Sequence, residues 1–231
     1  MIKNKKILGI IPARGGSKGL LHKNILPFKG KPLIAWTIKQ AQESQYIDRL
    51  IVSTDDNKIA EISKKYGASV PFIRPAELSN DKANLNDVIL HSLNNIKDSY
   101  DIIIVLQPTS PLRKTEDIDS GLDFMAYKKA LSVVSICKSH KPIEWNYHLK
   151  KDGIINPVLL QKTQGKNRQQ FEKTYTPNGA LFMINVEYFK KVNSFYTELT
   201  YGYKMPPERS IDIDTELDFF IANAMIDLTK N

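Results

Sequence analysis

I-I-P-A-R-G-G-S-K-G-L-L-H-K-N, residues 10–24, is the stretch that decides how this chain of 231 residues reads. It begins as the end of an apolar run, Ile7, Leu8, Gly9, Ile10 and Ile11, the pattern of a strand buried on both faces. It then passes abruptly into glycines, a serine and cations. Gly15, Gly16 and Gly19 let backbone N–H groups come close to a ligand, and Arg14, Lys18 and Lys23 bring the charge that a triphosphate demands. A short glycine-rich loop on its own is more often an ordinary basic turn. Its meaning therefore depends on what shares its end of the fold.

Two familiar nucleotide loops are excluded. Lys18 is followed by Gly19 rather than by Ser or Thr, so the P-loop's lysine and hydroxyl are not in place. The G-x-G-x-x-G dinucleotide fingerprint is also absent, and three cations exceed what a pyrophosphate on a helix N-terminus needs. The loop reads as a triphosphate holder of another kind.

Outward from the loop, strand and helix signals alternate. A turn at residues 27–32 leads into a helix whose first turn holds Pro32, with apolar Leu33, Ile34, Trp36 and Ile38. Residues 49–54 form a second short buried strand. The Asp55-Asp56 doublet that follows caps a helix running to Tyr66 and stopped by Gly67, with metal binding as the weaker alternative. Residues 69–73 read as a strand, 81–96 as a helix, 101–106 as the strongest strand, 115–125 as a helix and 131–137 as a strand. Such alternation predicts an α/β fold with a mainly parallel sheet covered by helices on both faces. Gln107 to Arg113, Q-P-T-S-P-L-R, sits at a strand's carboxyl end, where open parallel sheets bind ligands, and on position alone reads equally as a proline-braced turn.

The rhythm breaks over residues 138–176, a polar stretch carrying Trp145, Tyr147 and Phe171, with turns at Gly153 and Gly165. So long a segment within a compact domain is a functional loop or an interface arm. His140 and His148 have no partners at metal spacing and read as surface residues. The sheet resumes at residues 180–184. In S-I-D-I-D-T-E, residues 210–216, alternation places Asp212 and Asp214 together on one side of a strand end. Two carboxylates there repel unless a cation joins them, and magnesium held by one or two carboxylates plus substrate phosphates resolves the conflict. The plainer reading has Asp214 cap the closing helix over residues 216–228.

Composition bounds the rest. With 42% hydrophobic residues the chain can fill one main core. A net charge of +8 and a pI near 9.3 are compatible with nucleic acid, an anionic surface or acidic small molecules alike; the cations are scattered and no aromatics alternate with them, which favours small molecules over a nucleic-acid surface. The single cysteine, Cys137, has apolar neighbours and reads as a core thiol in a reducing, cytoplasmic setting. The N-terminus is too short in apolar residues for a signal peptide, and no run reaches membrane-spanning length.

The loop at residues 10–24, R-P-A-E-L-S at 74–79, L-Q-P-T-S-P-L-R at 106–113, R-Q-Q at 168–170, P-N-G-A at 177–180 and S-I-D-I-D-T-E-L-D at 210–218 occur in the order that marks one family. Together they resemble the CMP-sialic acid synthetases, the acylneuraminate cytidylyltransferases. The resemblance covers essentially the whole chain. It implies a Rossmann-like nucleotidyltransferase domain over residues 1–231, with 138–176 as an inserted dimerisation arm of a homodimer. It further implies that CTP is joined to a nine-carbon 2-keto sugar acid, with magnesium as cofactor and pyrophosphate as the second product. By motif position Arg14, Gly15, Ser17, Lys23 and Asn24 would hold phosphates and ribose, and Arg74 with the backbone of Ala83 would read cytosine. Gln107, Arg168, Phe182, Phe195 and Tyr196 would line the sugar site, Asp212 and Asp214 would hold magnesium, and Arg14 and Lys23 would stabilise the transition state. No side chain stands out as a general base.

Three departures bear on specificity. Leu21-His22 replace a frequent Pro-Gly, Ala83 to Asn86 lack a frequent Ser or Thr, and Glu144-Trp145 stand where some members carry lysine. A carboxylate near the sugar points to legionaminic or pseudaminic acid as the alternative acceptor to N-acetylneuraminate. The rival classes are a nucleotide-sugar-dependent glycosyltransferase with an Asp-x-Asp metal site and, more distantly, a basic nucleic-acid-binding domain.

Overall fold

The computed structural model describes residues 2–17, 19–159 and 167–228. Lys18 of the glycine loop and the Gly165 turn lie outside them. The main elements are β1 (Ile7–Pro12), α1 (Leu33–Gln42), β2 (Arg49–Ser53), α2 (Asn57–Lys65), α3 (Leu85–Asn94), β3 (Ile102–Val105) and α4 (Thr115–Lys128). The chain continues with β4 (Ser132–Lys138), β5 (Tyr175–Asn185), α5 (Val186–Val192), β6 (Thr200–Met205) and α6 (Glu216–Leu228).

These strands form a six-stranded sheet in the order β6-β4-β5-β3-β1-β2. The β1-β2, β1-β3 and β4-β6 pairs are parallel, while β5 runs antiparallel between β3 and β4. Period-two alternation divides the strands between two cores. Ile7 and Ile11 of β1, Ile102 and Ile104 of β3, and Leu181 and Met183 of β5 face a layer that includes Ile34, Ile38, Ile59, Ile118 and Leu122 from α1, α2 and α4. Leu8, Ile10, Ile103, Val105, Phe182 and Ile184 face the opposite layer, with Ile89 of α3 and Val186 and Phe189 of α5. The central strands β1, β3 and β5 are apolar on both faces because each face is covered by helices. A third cluster seats Ala222 and Ile226 of α6 on Phe28, Leu33 and Leu112.

Four sequence-based expectations change. Residues 69–73 are not a strand but touch the edge strand β2 only through single bridges at Ser69 and Ile73; Pro71 between them has no N–H to donate to a ladder. The helix expected over 81–96 begins at Leu85, because the Asn84 side chain accepts from the N–H of Asn86 and caps it there. Residues 211–214 do not form a strand either; they run extended across the carboxyl ends of the parallel strands, tied by the Ile213 N–H to the Thr109 carbonyl at 2.8 Å. Cys137 is half-buried at the outer end of β4 rather than in the core.

The strand β6 has no counterpart in the sequence reading. Gly202 interrupts its propensity, yet Tyr201 and Tyr203 pack edge-on and tilted against Phe124 of α4. Gly202 leaves room there for the Ile136 side chain of the neighbouring strand, whose Cδ1 lies 2.5 Å from where a Cβ would stand. Between β4 and β5, residues 139–159 and 167–174 lie off the sheet, their two ends joined by the Ser139 N–H to the Thr174 carbonyl at 2.9 Å. They carry a small hairpin, Tyr147–Leu149 against Ile155–Pro157. His140 and His148 are exposed, as the sequence indicated.

Arg113 fastens the end of β3 to its surroundings. Although fully buried, its guanidinium donates to the carbonyls of Ala180 at 2.8 Å and Gln107 at 3.4 Å, to Thr37 Oγ1 at 2.9 Å and to Gln40 Oε1 at 3.1 Å. Burial pushes it down to about 9, opposed by the Asp117 charge. Arg113→Met is expected to cost roughly 2–4 kcal/mol, because apolar sulfur leaves those acceptors unsatisfied. A fall in Tm of less than about 4 °C on calorimetric melting would contradict it.

Candidate active site

The carboxyl ends of β1 and β3, the chain after β2, the start of β5 and the extended stretch before α6 meet around one cleft of about 580 Å³. Arg14, Ser17, Lys23, Asn24, Arg74, Ala83, Gln107, Asp212 and Asp214 all line it, joined by Asp81 and Thr109. A second cavity, of about 430 Å³, lies at the root of the arm among Lys138, Lys141, Arg168, Phe171 and Lys173. The larger cleft is the candidate active site, because it sits where an open α/β sheet exposes strand ends and loop N–H groups.

The glycine loop is held by its neighbours. Gly15 donates its N–H to Asp55 Oδ1 at 3.0 Å, and a Cβ at Gly15 would lie 2.8 Å from Asp56 Oδ2. Asn24, nearly buried, donates from Nδ2 to the Arg14 carbonyl at 2.9 Å. At Gly19 a Cβ would collide with the Asp214 carbonyl oxygen. The Asp55-Asp56 doublet divides its work. Asp56 caps α2 by accepting from the Ile59 N–H at 3.0 Å, while Asp55 turns toward the loop and Arg74.

Among the described residues, each cleft cation faces a carboxylate. Arg14 Nη1 stands 3.0 Å from Asp81 Oδ1, Lys23 Nζ 2.8 Å from Asp214 Oδ1, and Arg74 Nη2 3.6 Å from Asp55 Oδ1. Arg74 is only 4% exposed and also donates from Nε to Ser79 Oγ at 3.1 Å. The Ala83 N–H is donated to the Asn80 carbonyl at 3.1 Å.

Asp212 is the carboxylate under stress. Its Oδ1 is buried with no hydrogen-bond partner among the described residues. Burial pushes its carboxyl above the ordinary Asp value; the Thr109 hydroxyl and Lys23 oppose this, and the Asp214 charge adds to it. Asp214 does not cap α6. Thr215 and Asp218 do so reciprocally, with the Thr215 N–H to Asp218 Oδ2 at 2.8 Å and the Asp218 N–H to Thr215 Oγ1 at 3.3 Å. The described residues contain no cluster of three His, Cys, Asp or Glu side chains fit for a metal. A pair of carboxylates with one orphaned oxygen does fit magnesium, which takes its remaining ligands from phosphates and water.

Gly179, in P-N-G-A, has a role that the sequence does not reveal. Its φ is +73°, and a Cβ would stand 2.6 Å from Gln107 Oε1 and 3.1 Å from Asp212 Oδ2. It is the floor that lets these two side chains share one end of the cleft. Gly179→Ala is expected to cost at least ~1–2 kcal/mol from the left-handed backbone alone. It should also lower turnover by displacing Gln107; melting and steady-state kinetics together test this, and unchanged values of both would refute it.

The other residues assigned to the sugar site are not gathered in the cleft of one chain. Arg168 lies at the arm's root, lining the second cavity. Phe182 and Phe195 are buried in the core, their ring centroids 5.5 Å apart, and Tyr196 is 54% exposed beside Phe182.

A helix-covered sheet with a cation-lined cleft at its strand ends is built for an anionic ligand such as a nucleotide. The solved structure of CMP:2-keto-3-deoxy-manno-octonic acid synthetase complexed with CTP shares this fold at a TM-score of 0.71, covering 97% of this chain and 99% of that one at 16% identity. Residues 8–152 match the model of the cytidylyltransferase family. The chain is 37% identical to the N-acylneuraminate cytidylyltransferase of Escherichia coli O18:K1:H7 over 94% of its own length and 51% of that protein. It is 32% identical to the CMP-N,N'-diacetyllegionaminic acid synthase of Legionella pneumophila over 97% of its own length and 98% of that protein. The chain is a member of the cytidylyltransferase family. It spans about half the length of the N-acylneuraminate cytidylyltransferases it matches. Among the described residues no helix is long and apolar enough to cross a membrane.

Proposed function

We propose that this chain transfers CMP from CTP to a nine-carbon 2-keto sugar acid, N-acetylneuraminate or a similar one, and releases pyrophosphate. The observation that carries the reading is the convergence of Arg14, Lys23 and Arg74 with Asp212 and Asp214 on one cleft, in a member of the cytidylyltransferase family. Arg14, Gly15, Ser17, Lys23 and Asn24 hold the phosphates and ribose; Arg74 and the backbone of Ala83 read cytosine. The sugar's anomeric oxygen forms a bond to the α-phosphorus as the bond to the pyrophosphate oxygen breaks, and the hydroxyl proton passes to solvent. Arg14 and Lys23 neutralise the charge that grows on the leaving pyrophosphate, so catalysis is alignment and electrostatics. Asp212 and Asp214 would hold magnesium, which when bound supplies further charge neutralisation at the phosphates.

Gln107, Arg168, Phe182, Phe195 and Tyr196 serve the sugar. Since Arg168 lies at the arm's root outside the cleft, the sugar half is completed by a second copy of the chain in a homodimer. The exposed apolar side chains Leu149, Ile154, Ile155 and Val158 on the arm support an association of that kind. A reducing, cytoplasmic setting suits the lone cysteine.

A second reading keeps the reaction and changes the acceptor to legionaminic or pseudaminic acid. The sequence feature that favours it is Glu144, a carboxylate where some members carry lysine, since it would repel the acid's own carboxylate unless it faces other substituents of the sugar. The match along nearly the whole length of the Legionella protein supports the same reading. Pyrophosphate release from CTP and Mg²⁺ with N-acetylneuraminate, legionaminate and pseudaminate in parallel decides the matter. Release with one acid establishes the reaction and names the acceptor. Release with none overturns the proposal.

A further inference from the structure

We infer that Asp55 is the positioning residue that couples the two halves of the nucleotide site, the phosphate loop and the base-reading arginine, through one carboxylate oxygen. This rests on the cytidylyltransferase reading given above. The sequence leaves Asp55 and Asp56 as a single capping doublet, but the structure gives the cap to Asp56 alone. Asp55 Oδ1 instead accepts the Gly15 N–H at 3.0 Å and stands 3.6 Å from Arg74 Nη2. Forty residues separate Asp55 from the loop, and nineteen separate it from Arg74.

Three further contacts make this a built arrangement rather than a chance ion pair. The Arg74 N–H donates to the Thr54 carbonyl at 2.8 Å, which fixes the arginine's backbone beside the residue preceding Asp55. Ser79 Oγ accepts from Arg74 Nε at 3.1 Å, which sets the plane of the guanidinium. Asp56 leaves no room for a Cβ at residue 15, so the loop rests directly on the doublet. Arg74 is buried, and burial pushes its guanidinium down from the ordinary arginine value; Asp55 is the neighbour that opposes this, while Arg14 adds to the fall. Asp55 itself does not line the cleft. It acts on the ligand through Gly15 and Arg74.

The two bonds require different chemistry, and this separates them by experiment. The Gly15 N–H needs only an oxygen acceptor, which an asparagine amide can supply. Holding a desolvated guanidinium in place needs negative charge. Asp55→Asn should therefore disturb base reading and spare phosphate binding, whereas Asp55→Ala should disturb both. The experiment measures Kd by calorimetry for CTP and for inorganic triphosphate, with the wild-type chain and both variants, alongside thermal melts. The expected result is that Asp55→Asn weakens CTP by about 10-fold or more and changes triphosphate by less than about 2-fold. Asp55→Ala is expected to weaken both ligands by about 10-fold. With Arg74→Lys present, the further effect of Asp55→Asn on CTP should shrink, because the two residues act as one unit.

A purely structural role would move Tm, and would shift the two ligands by the same factor or not at all. Either pattern in Asp55→Asn overturns the inference. If Asp55→Asn does not fold, Arg74→Lys alone carries the test, and triphosphate weakening equal to that of CTP overturns it. A wild-type chain that binds triphosphate without preferring CTP to UTP would refute the cytosine role of Arg74, and this inference with it. A wild-type chain that prefers CTP while Asp55→Asn retains that preference sinks the inference alone.

Discussion

Asp212→Asn is expected to lower turnover by roughly a hundred- to a thousand-fold, the scale on which losing one electrostatic stabiliser acts, while leaving the fold at least as stable at neutral pH. The first half follows from the proposed metal role, since an amide is a poor magnesium ligand and Asp214 alone cannot replace it. The second follows from burial. Asp212 keeps a buried oxygen with no partner among the described residues, and its carboxyl is held above the ordinary value of 3.8 chiefly because it is desolvated. A group that binds its proton more tightly when folded contributes stability that is complete below its unfolded pKa and is lost as pH rises through its folded pKa. Wild-type protein therefore loses stability relative to the variant over the window that opens near 3.8 and extends upward. Melting curves in chelator should show the variant's Tm above the wild type's at pH 7 and the two converging near pH 4, each 1 kcal/mol amounting to about 2–4 °C. A lower Tm for the variant at pH 7 would refute the desolvation account. Turnover unchanged at saturating Mg²⁺ would remove Asp212 from the metal site.

Asp212 also shows where sequence suffices and where it does not. Alternation in S-I-D-I-D correctly set Ile213 inward, 0% exposed, and turned the aspartates toward one cleft. The same alternation wrongly implied a strand, because period two reports that a chain is extended and says nothing of whether a neighbour pairs with it. The central strands β1 and β3 were legible because both their faces are covered, which forces a continuous apolar run. The edge strand β6 was not, since its stability comes from tyrosines packing on Phe124 and from a glycine that makes room for Ile136. Propensity cannot see either. The Asp55-Asp56 doublet was read as one feature because both residues carry the same chemistry. Only the fold brings Gly15 to one of them and Ile59 to the other. Gly179 shows the same limit, as the space where its Cβ would stand is taken by Gln107 and Asp212, far away along the chain.

Lys23→Met is expected to lower kcat/KM for CTP by about a thousand-fold, within the range found when a preorganised charge is removed from a transition state. Lys23 is the least exposed partner in its ion pair, with 13% of its side chain accessible against 72% for Asp214, and its Nζ lies 2.8 Å from Asp214 Oδ1. A cation so enclosed is screened less by salt than an exposed one, so its loss cannot be made up by counter-ions. Methionine keeps the stem's apolar packing and removes only the charge, which separates the electrostatic effect from a packing effect. A second consequence tests the geometry independently of rate. Lys23 is one of the groups holding the Asp212 carboxyl down against burial and against Asp214. Without it the Asp212 carboxyl moves further up, and if turnover needs that carboxylate ionised, the acid limb of the pH–rate profile moves to higher pH in the variant. Lys23→Arg, which restores the charge, should return the limb toward its wild-type position even if turnover recovers only in part, because a planar guanidinium does not reproduce a point charge. A variant with lowered turnover but an unmoved acid limb would show that Lys23 serves the phosphates without governing Asp212, and would place the titrating group elsewhere in the cleft.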